Sequence, residues 1–366
     1  MTILSVIWYA LIFVLIAGYF VLDGFDLGAG VLSPFVAKND EEKAIVRQAI
    51  GPVWDGNEVW LLTAGGALFA AFAPAYATTF SGFYLAIILV LVGLIMRAVS
   101  IEWAGHDASW RKIWNAFFFV GSLLPALLTG VAVGNIYQGI PMSDGSEWTN
   151  VFGAVNPGTV GDYIGVPLLG LVTPFTLLTG LLGLSIFILM GAAWLSIKAP
   201  EGSDLLTRVR SIRKTMAIIA VVLCVAVSAY ALLIIGVPGD LPIFIPAVFA
   251  ILFVVAIVLV IMRGTTDKDI STFIIAALSA VALVGLLGTS MFPHLVVAGL
   301  GDPIGLNQVF GVENLGTNIG VADASEDGTL AWMLGITVVA LPLVLFYHFL
   351  VYRAFMGRIS PESLEY

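Results

Sequence analysis

The chain has 366 residues, of which 60% are hydrophobic and only 11% charged, and its mean hydropathy is +1.05. About a quarter of the residues of a soluble globular domain are charged, so a soluble fold is excluded. Apolar runs of about 20 residues recur from end to end, which specifies a polytopic membrane protein whose net charge of −9 has to be explained by topology.

Nine spans are predicted, at Ile3–Gly28, Val53–Phe72, Tyr76–Met96, Trp114–Ile136, Val166–Ile197, Thr215–Ile235, Leu241–Met262, Thr272–Met291 and Leu330–Tyr352. The expected fold is all-α, a single integral membrane domain over residues 1–366. Two four-helix bundles (1–136 and 166–291) precede a ninth, peripheral helix and a tail (330–366). The first run has neither a basic leader nor a small-residue cleavage site, so it reads as a retained helix rather than a signal peptide. The second span is the least hydrophobic.

The basic residues support that second span. Lys38, Lys43 and Arg47 follow span one; Arg97, Arg111 and Lys112 follow span three; Lys198, Arg208, Arg210, Arg213 and Lys214 follow span five. Arg263 and Lys268 follow span seven, and Arg353 and Arg358 follow span nine, which accounts for all 15 bases. Positively charged loops stay in the cytoplasm, so the N-terminus is expected outside and the C-terminus inside. The loops 137–165 and 292–329 are then outer ones. With the other outer connections they hold nine acids and no base: Asp144, Glu147, Asp162, Asp240, Asp302, Glu313, Asp323, Glu326 and Asp327. The whole net charge is therefore expected on the outer face, as a solvated acidic surface or as a site for a cationic partner. Within these loops Val151–Thr159 matches Val309–Thr317 at six of nine positions, which suggests two related halves.

Few residues can carry chemistry. Asp23 and Asp26 close span one, three apart and so on one helical face, with Gly24 and Gly28 forming a small-xxx-small surface for another helix. Span two opens on Trp54-Asp55-Gly56-Asn57-Glu58, again with two carboxylates three apart. A charge at the bilayer centre costs roughly 2.5–3.5 kcal/mol, so such groups face protein or water. The four carboxylates Asp23, Asp26, Asp55 and Glu58 are expected at one level on the inner side, where exchange of protons would give a membrane relay. The competing reading makes Asp23, Asp26 and Asp55 markers of helix ends, with Asp55 favoured by the helix dipole.

Of three histidines (His106, His294, His348), only His348 falls inside a span, and an interhelical hydrogen bond is its simplest role. Cys224, the lone cysteine, neither pairs nor builds a metal site, so none is expected. No Gly-rich phosphate loop accompanies a strand and helix, and no nucleic-acid partner is expected. Trp8, Trp103, Trp110, Trp114, Trp148 and Trp332 stand near span ends, as interfacial anchors do.

Leu22-Asp23-Gly24-Phe25-Asp26-Leu27-Gly28-Ala29-Gly30 and the stretch from Gly51-Pro52-Val53-Trp54-Asp55-Gly56-Asn57-Glu58 to Ala67 resemble subunit II of cytochrome bd-type quinol oxidases. So do Phe80-Ser81-Gly82-Phe83-Tyr84, Arg97 with Ile101-Glu102-Trp103, Gly130-Val131-Ala132-Val133-Gly134-Asn135, and the closing Phe355-Met356-Gly357-Arg358-Ile359. The resemblance implies a heterodimer with a larger subunit I that carries haem b, haem d and the quinol site. It further implies oxidation of quinol, reduction of dioxygen to water with protons drawn from the cytoplasm, and a proton-motive force. A structural quinone in this subunit and small single-helix accessory subunits belong to the same expectation. The acid of the Trp-Asp-Gly-Asn motif, associated with proton delivery in the family, falls on Asp55 with Trp54 beside it. Asp23 and Asp26 match the family's first-helix acids in a supporting role, and Glu58, read from the residues themselves, completes the expected proton pathway. His294 departs from the family, where an apolar residue more often follows Met-Phe-Pro. A proton-coupled secondary transporter is the rival reading, although Gly65-Gly66 lacks a counterpart in the second half. A third is a scaffold that shields another subunit's cofactors from lipid.

Overall fold

The computed structural model describes residues 1–105, 108–140, 171–298 and 317–360. The helices are α1 (Ile3–Val36), α2 (Asp40–Ile50), α3 (Trp54–Ala71), α4 (Ala73–Gly82), α5 (Tyr84–Trp103) and α6 (Arg111–Gln138). They continue as α7 (Pro174–Lys198), α8 (Asp204–Tyr230, extended to Ile235 by a π-helical turn), α9 (Phe244–Arg263), α10 (Asp269–Met291) and α11 (Asp327–Ala354). Among the described residues, all but α2, α3 and α4 are long and apolar enough to cross a membrane, eight helices in all. The predicted second span is α3. Its 18 residues would rise about 27 Å, but its polar first turn holds it below that standard.

Several boundaries move for identifiable reasons. The first helix runs to Val36, 34 residues instead of ending at Gly28, so Asp23 and Asp26 are interior residues rather than end markers. The predicted third span, Tyr76–Met96, is cut in two at Phe83, and α4 is separated from α3 at Phe72. Pro74 has no N–H to give the carbonyl of Ala70. Ser325 supplies the missing donors, its Oγ to Ala70 O at 2.7 Å and its N to Ala71 O at 2.8 Å. The connection after span one is itself a helix, α2, capped by the Asn39 side chain accepting from Glu42 N; its Ile45, Val46, Ala49 and Ile50 are buried. Arg97, expected in a loop, lies inside α5, and Arg208, Arg210, Arg213 and Lys214 lie inside α8. The repeat expected between Val151–Thr159 and Val309–Thr317 falls largely outside the described residues.

The helices pack where glycines let backbones meet. A Cβ on Gly28 would run into the Phe187 carbonyl and lie 2.9 Å from Gly191 N, and one on Gly24 would sit 2.8 Å from the Phe187 ring. The small-residue face predicted on α1 therefore docks α7. Gly121 on α6 meets Gly93 O on α5, and Gly130 meets Gly180 on α7, by the same device. In this way α1 lies between α3 and α6, α5 packs on α6, and α7 joins them to α8 and α10, against which α9 packs in turn. In its most apolar stretch α7 is 72% buried while α11 is 0% buried, which makes the last helix peripheral, as expected.

The helix ends away from the bases are closed by β1 (His294–Val296), antiparallel to β2 (Ile319–Gly320), with Ile140 bridging to Ala298. Trp8, expected as an interfacial anchor, is 2% exposed there and donates to Leu330 O at 2.9 Å; Trp103, Trp110 and Trp332 are exposed.

Candidate functional site

The opposite, basic end is knitted together by its own charges. Arg208 donates to Val36 O, the end of α1, and pairs with Glu42 on α2. Asp269 opens α10 and receives Arg210 at 2.6 Å and Arg213 at 2.8 Å. Arg358 caps α7 through Ser196 O at 2.9 Å and Ala199 O at 2.7 Å, while Ile359 N donates to Lys198 O at 2.8 Å. The bases of α8 and the tail, with the ends of α1, α2, α7 and α10 that they hold, thus gather at one end of the bundle.

Deeper in the bundle from that end lies a group with no structural excuse of this kind. Arg97 is fully buried. Its Nη1 stands 2.7 Å from Asp23 Oδ1 and its Nη2 2.8 Å from Glu58 Oε2, joining α5, α1 and α3. The Arg97–Asp23 contact is an ion pair off the hydrogen-bond line, whereas Nη2 donates to Glu58 along it. Tyr19, one turn up α1 and buried, turns its hydroxyl to Asp23. Asp26, also fully buried, accepts from Asn57 Nδ2 at 2.7 Å, and Asn57 Oδ1 accepts from Tyr352 of α11 at 2.7 Å. One guanidinium and three carboxyl groups share this site. Breaking a buried pair by removing one partner costs about 3–5 kcal/mol, so Arg97 is what makes the acids tenable there.

Four carboxylates at one place were expected; three are brought together. Asp55 is exposed, one turn before Glu58 on α3, with Trp54 half-buried next to it. The same strip of α3 exposes Val59, Leu62 and Phe69. Helix phase explains the division: Asn57 and Trp60 face inward, which turns Asp55 out. Arg97 enters the sequence reading only as a base and within a motif of resemblance, Asn57 only within its motif and Tyr352 only as the end of a span, so none of the three is among the expected site residues. A signal existed for Arg97, since the apolar run continues past it as Ala98-Val99-Ser100-Ile101.

His348 has the interhelical bond expected of it. Its Nδ1 lies 3.0 Å from Val344 O, and Trp60 Nε1 donates to Nε2 at 3.4 Å, partners that assign the tautomer. The Nε2 lone pair of His348 is thus turned to Trp60. Among the described residues no three His, Cys, Asp or Glu side chains could hold a metal ion, and Cys224 is free and buried.

The fold and site together define a class: a multi-spanning helical membrane subunit whose polar chemistry is a buried guanidinium–carboxylate cluster. Within that class the family is specific. Residues 4–355 match the family described as cytochrome bd terminal oxidase subunit II, and the chain belongs to it. It is 31% identical over 404 aligned positions to cytochrome bd-I ubiquinol oxidase subunit 2 of Escherichia coli (strain K12), covering 99% of this chain and 97% of that one. It is 33% identical to cytochrome bd ubiquinol oxidase subunit 2 of Bacillus subtilis (strain 168), covering 98% and 97%. Its fold superimposes on a chain of the bd oxidase from Geobacillus thermodenitrificans with a TM-score of 0.63 at 14% identity, covering 97% and 99%. The transporter reading gives way to this membership.

Proposed function

We propose that this subunit delivers protons from the cytoplasm toward the oxygen-reducing centre of a quinol oxidase complex, with Asp55 as the entry acid. The observation that carries the reading is the position of Asp55, exposed on an apolar strip of α3 and one turn from the buried Arg97 cluster. A carboxylate on such a strip is costly in lipid, so the strip is a face for protein. The larger subunit I is the partner assigned to it. The basic end is assigned to the cytoplasm because the bases gather there, which leaves the N-terminus outside and the C-terminus inside.

Each residue then has a task. Asp55 takes a proton at the inner surface, and Glu58, on the same helix face, is the next acceptor. Arg97 holds Glu58 and Asp23 at 2.8 Å and 2.7 Å, supplying the positive charge that keeps carboxyl oxygens in a desolvated place. Haem b and haem d, assigned to the partner, would supply the oxygen chemistry, in keeping with a His348 whose Nε2 is turned to Trp60. The transmembrane potential follows if protons enter from the cytoplasmic side only.

The test is Asp55→Asn in the assembled complex. Haem absorption should be unchanged, while oxygen reduction and proton uptake slow together by roughly 100-fold, the scale of lost acid–base transfer. A full rate with normal uptake would remove Asp55 from the route.

A further inference from the structure

Asn57 is fully buried, and its amide is held at both ends. Its Nδ2 donates to Asp26 Oδ2 and its Oδ1 accepts from Tyr352 Oη, each at 2.7 Å. Tyr352 stands two residues before the end of α11, the helix that is otherwise almost unburied. One turn earlier on α11, His348 accepts from Trp60, which lies one turn after Asn57 on α3. Two side chains of α11 at i and i+4 therefore grip two of α3 at i and i+3, at the first turns of the helix that carries Asp55 and Glu58. Elsewhere α11 is fastened chiefly at its ends: at its start by Thr2 to Asp327 Oδ1 at 2.8 Å and Trp8 to Leu330 O, and beyond its finish by the Arg358 clasp.

The direction of the Asn57 amide follows from these contacts. With Asp26 ionised the carboxylate only accepts, so the amide nitrogen faces it, as the contact has it, and the amide oxygen then needs a donor on its other side. The hydroxyl of Tyr352 is that donor. Without it the amide is free to turn, and a turned amide would set its oxygen against Asp26. The other groups facing Asp26 are fixed independently of α11: Asp23 on α1, Arg97 on α5 and Glu58 on α3 are tied to one another. Among the contacts here, Tyr352 is thus the one through which the peripheral helix reaches the acid cluster.

We propose that Tyr352 is a positioning residue for proton delivery, fixing the Asn57 amide so that Asp26 is held as a hydrogen-bond acceptor within the route. The inference rests on the reading of the cluster as a proton path. Tyr352 touches no reacting atom. It acts through Asn57, and it makes α11 part of the machinery rather than a lipid-facing appendage.

The experiment uses the whole complex, purified in mild detergent or reconstituted, and compares Tyr352→Phe, Asn57→Ala, their double variant and Asp26→Asn. The readout is the pH profile of quinol-driven oxygen consumption, with haem absorption as the check on assembly. Tyr352→Phe removes one hydroxyl; it should lower the rate roughly fivefold, the worth of one hydrogen bond, and displace the pH profile. Little further change is expected when it is added to Asn57→Ala, because the two act through one contact. A wild-type rate and profile for Tyr352→Phe, with Asp26→Asn slowed, would overturn the positioning role and leave the proton path standing. Wild-type behaviour of both Asp26→Asn and Asp55→Asn would instead bring down the proton path itself. Should Tyr352→Phe fail to assemble, a ring-fluorinated tyrosine at 352 keeps the shape and the hydrogen bond while making the hydroxyl more acidic. A displaced profile then supports the role, and an unmoved one refutes it.

Discussion

Replacing Arg97 by Met measures how far the buried cluster depends on its single cation. Both guanidinium and Asp23 are fully buried, whereas the Glu58 side chain is 23% exposed. Loss of Arg97 therefore strands Asp23 outright and leaves Glu58 partly able to recruit water. Removing one partner of a buried pair costs about 3–5 kcal/mol, a large share of a typical total of about 5–15 kcal/mol. Most of that cost should sit on Asp23. Adding Asp23→Asn to Arg97→Met removes the stranded charge and should restore more than half of the loss, since an apolar or neutral filling of such a site is often tolerated. The assay is thermal unfolding of the detergent-solubilised complex, followed by loss of haem absorption and by size exclusion. A single variant within about 1 kcal/mol of the parent would refute the claim that Arg97 makes the acids tenable. A double variant no better than the single one would refute the assignment of the cost to Asp23.

Two further outcomes follow from packing and from the tail. Gly28→Val should prevent accumulation of folded protein, because the added carbons meet the Phe187 carbonyl; Gly66→Ala, with nothing within 4 Å, should be tolerated, and in-membrane expression with size exclusion compares the two. Arg358→Ala removes donors to Ser196 O and Ala199 O and the pair with Glu201, so the tail should become cleavable by trypsin at Arg353 while the spanning helices stay protected; an unchanged cleavage rate would deny the clasp.

What could be read from the chain was whatever composition and local spacing determine. The apolar runs located the long helices, and Gly24 with Gly28 marked the face that meets α7, since both depend on periodicity alone. The acids of α1 and α3 stood out because charge is rare in such segments. Whether Asp55 or Asn57 would face inward could not be read in the same way. The spacing fixes that they differ in direction but not which one is covered, and the cover comes from Tyr352, 295 residues away. Arg97 was obscured because it stands within two turns of the end of α5, where a snorkelling cation at the membrane surface and a buried one look alike in spite of the apolar residues that follow. The break between α3 and α4 was hidden for a similar reason: the donor that makes it possible, Ser325, belongs to another part of the chain.

The unbroken run of α1 has a mechanical consequence. From Ile3 to Ser33 it contains no proline, and its 34 residues make a rod of about 51 Å, well beyond a hydrocarbon layer of about 30 Å. The rod is pinned near one end, where Trp8 and Tyr9 donate to carbonyls of α11 and α10, and again at the acids some 20 Å farther along. With no hinge between the two attachments, a thinner or thicker bilayer cannot be met by bending. It has to be met by leaning the whole assembly or by deforming the surrounding lipid, and in either case the distance between cap and carboxylates stays fixed.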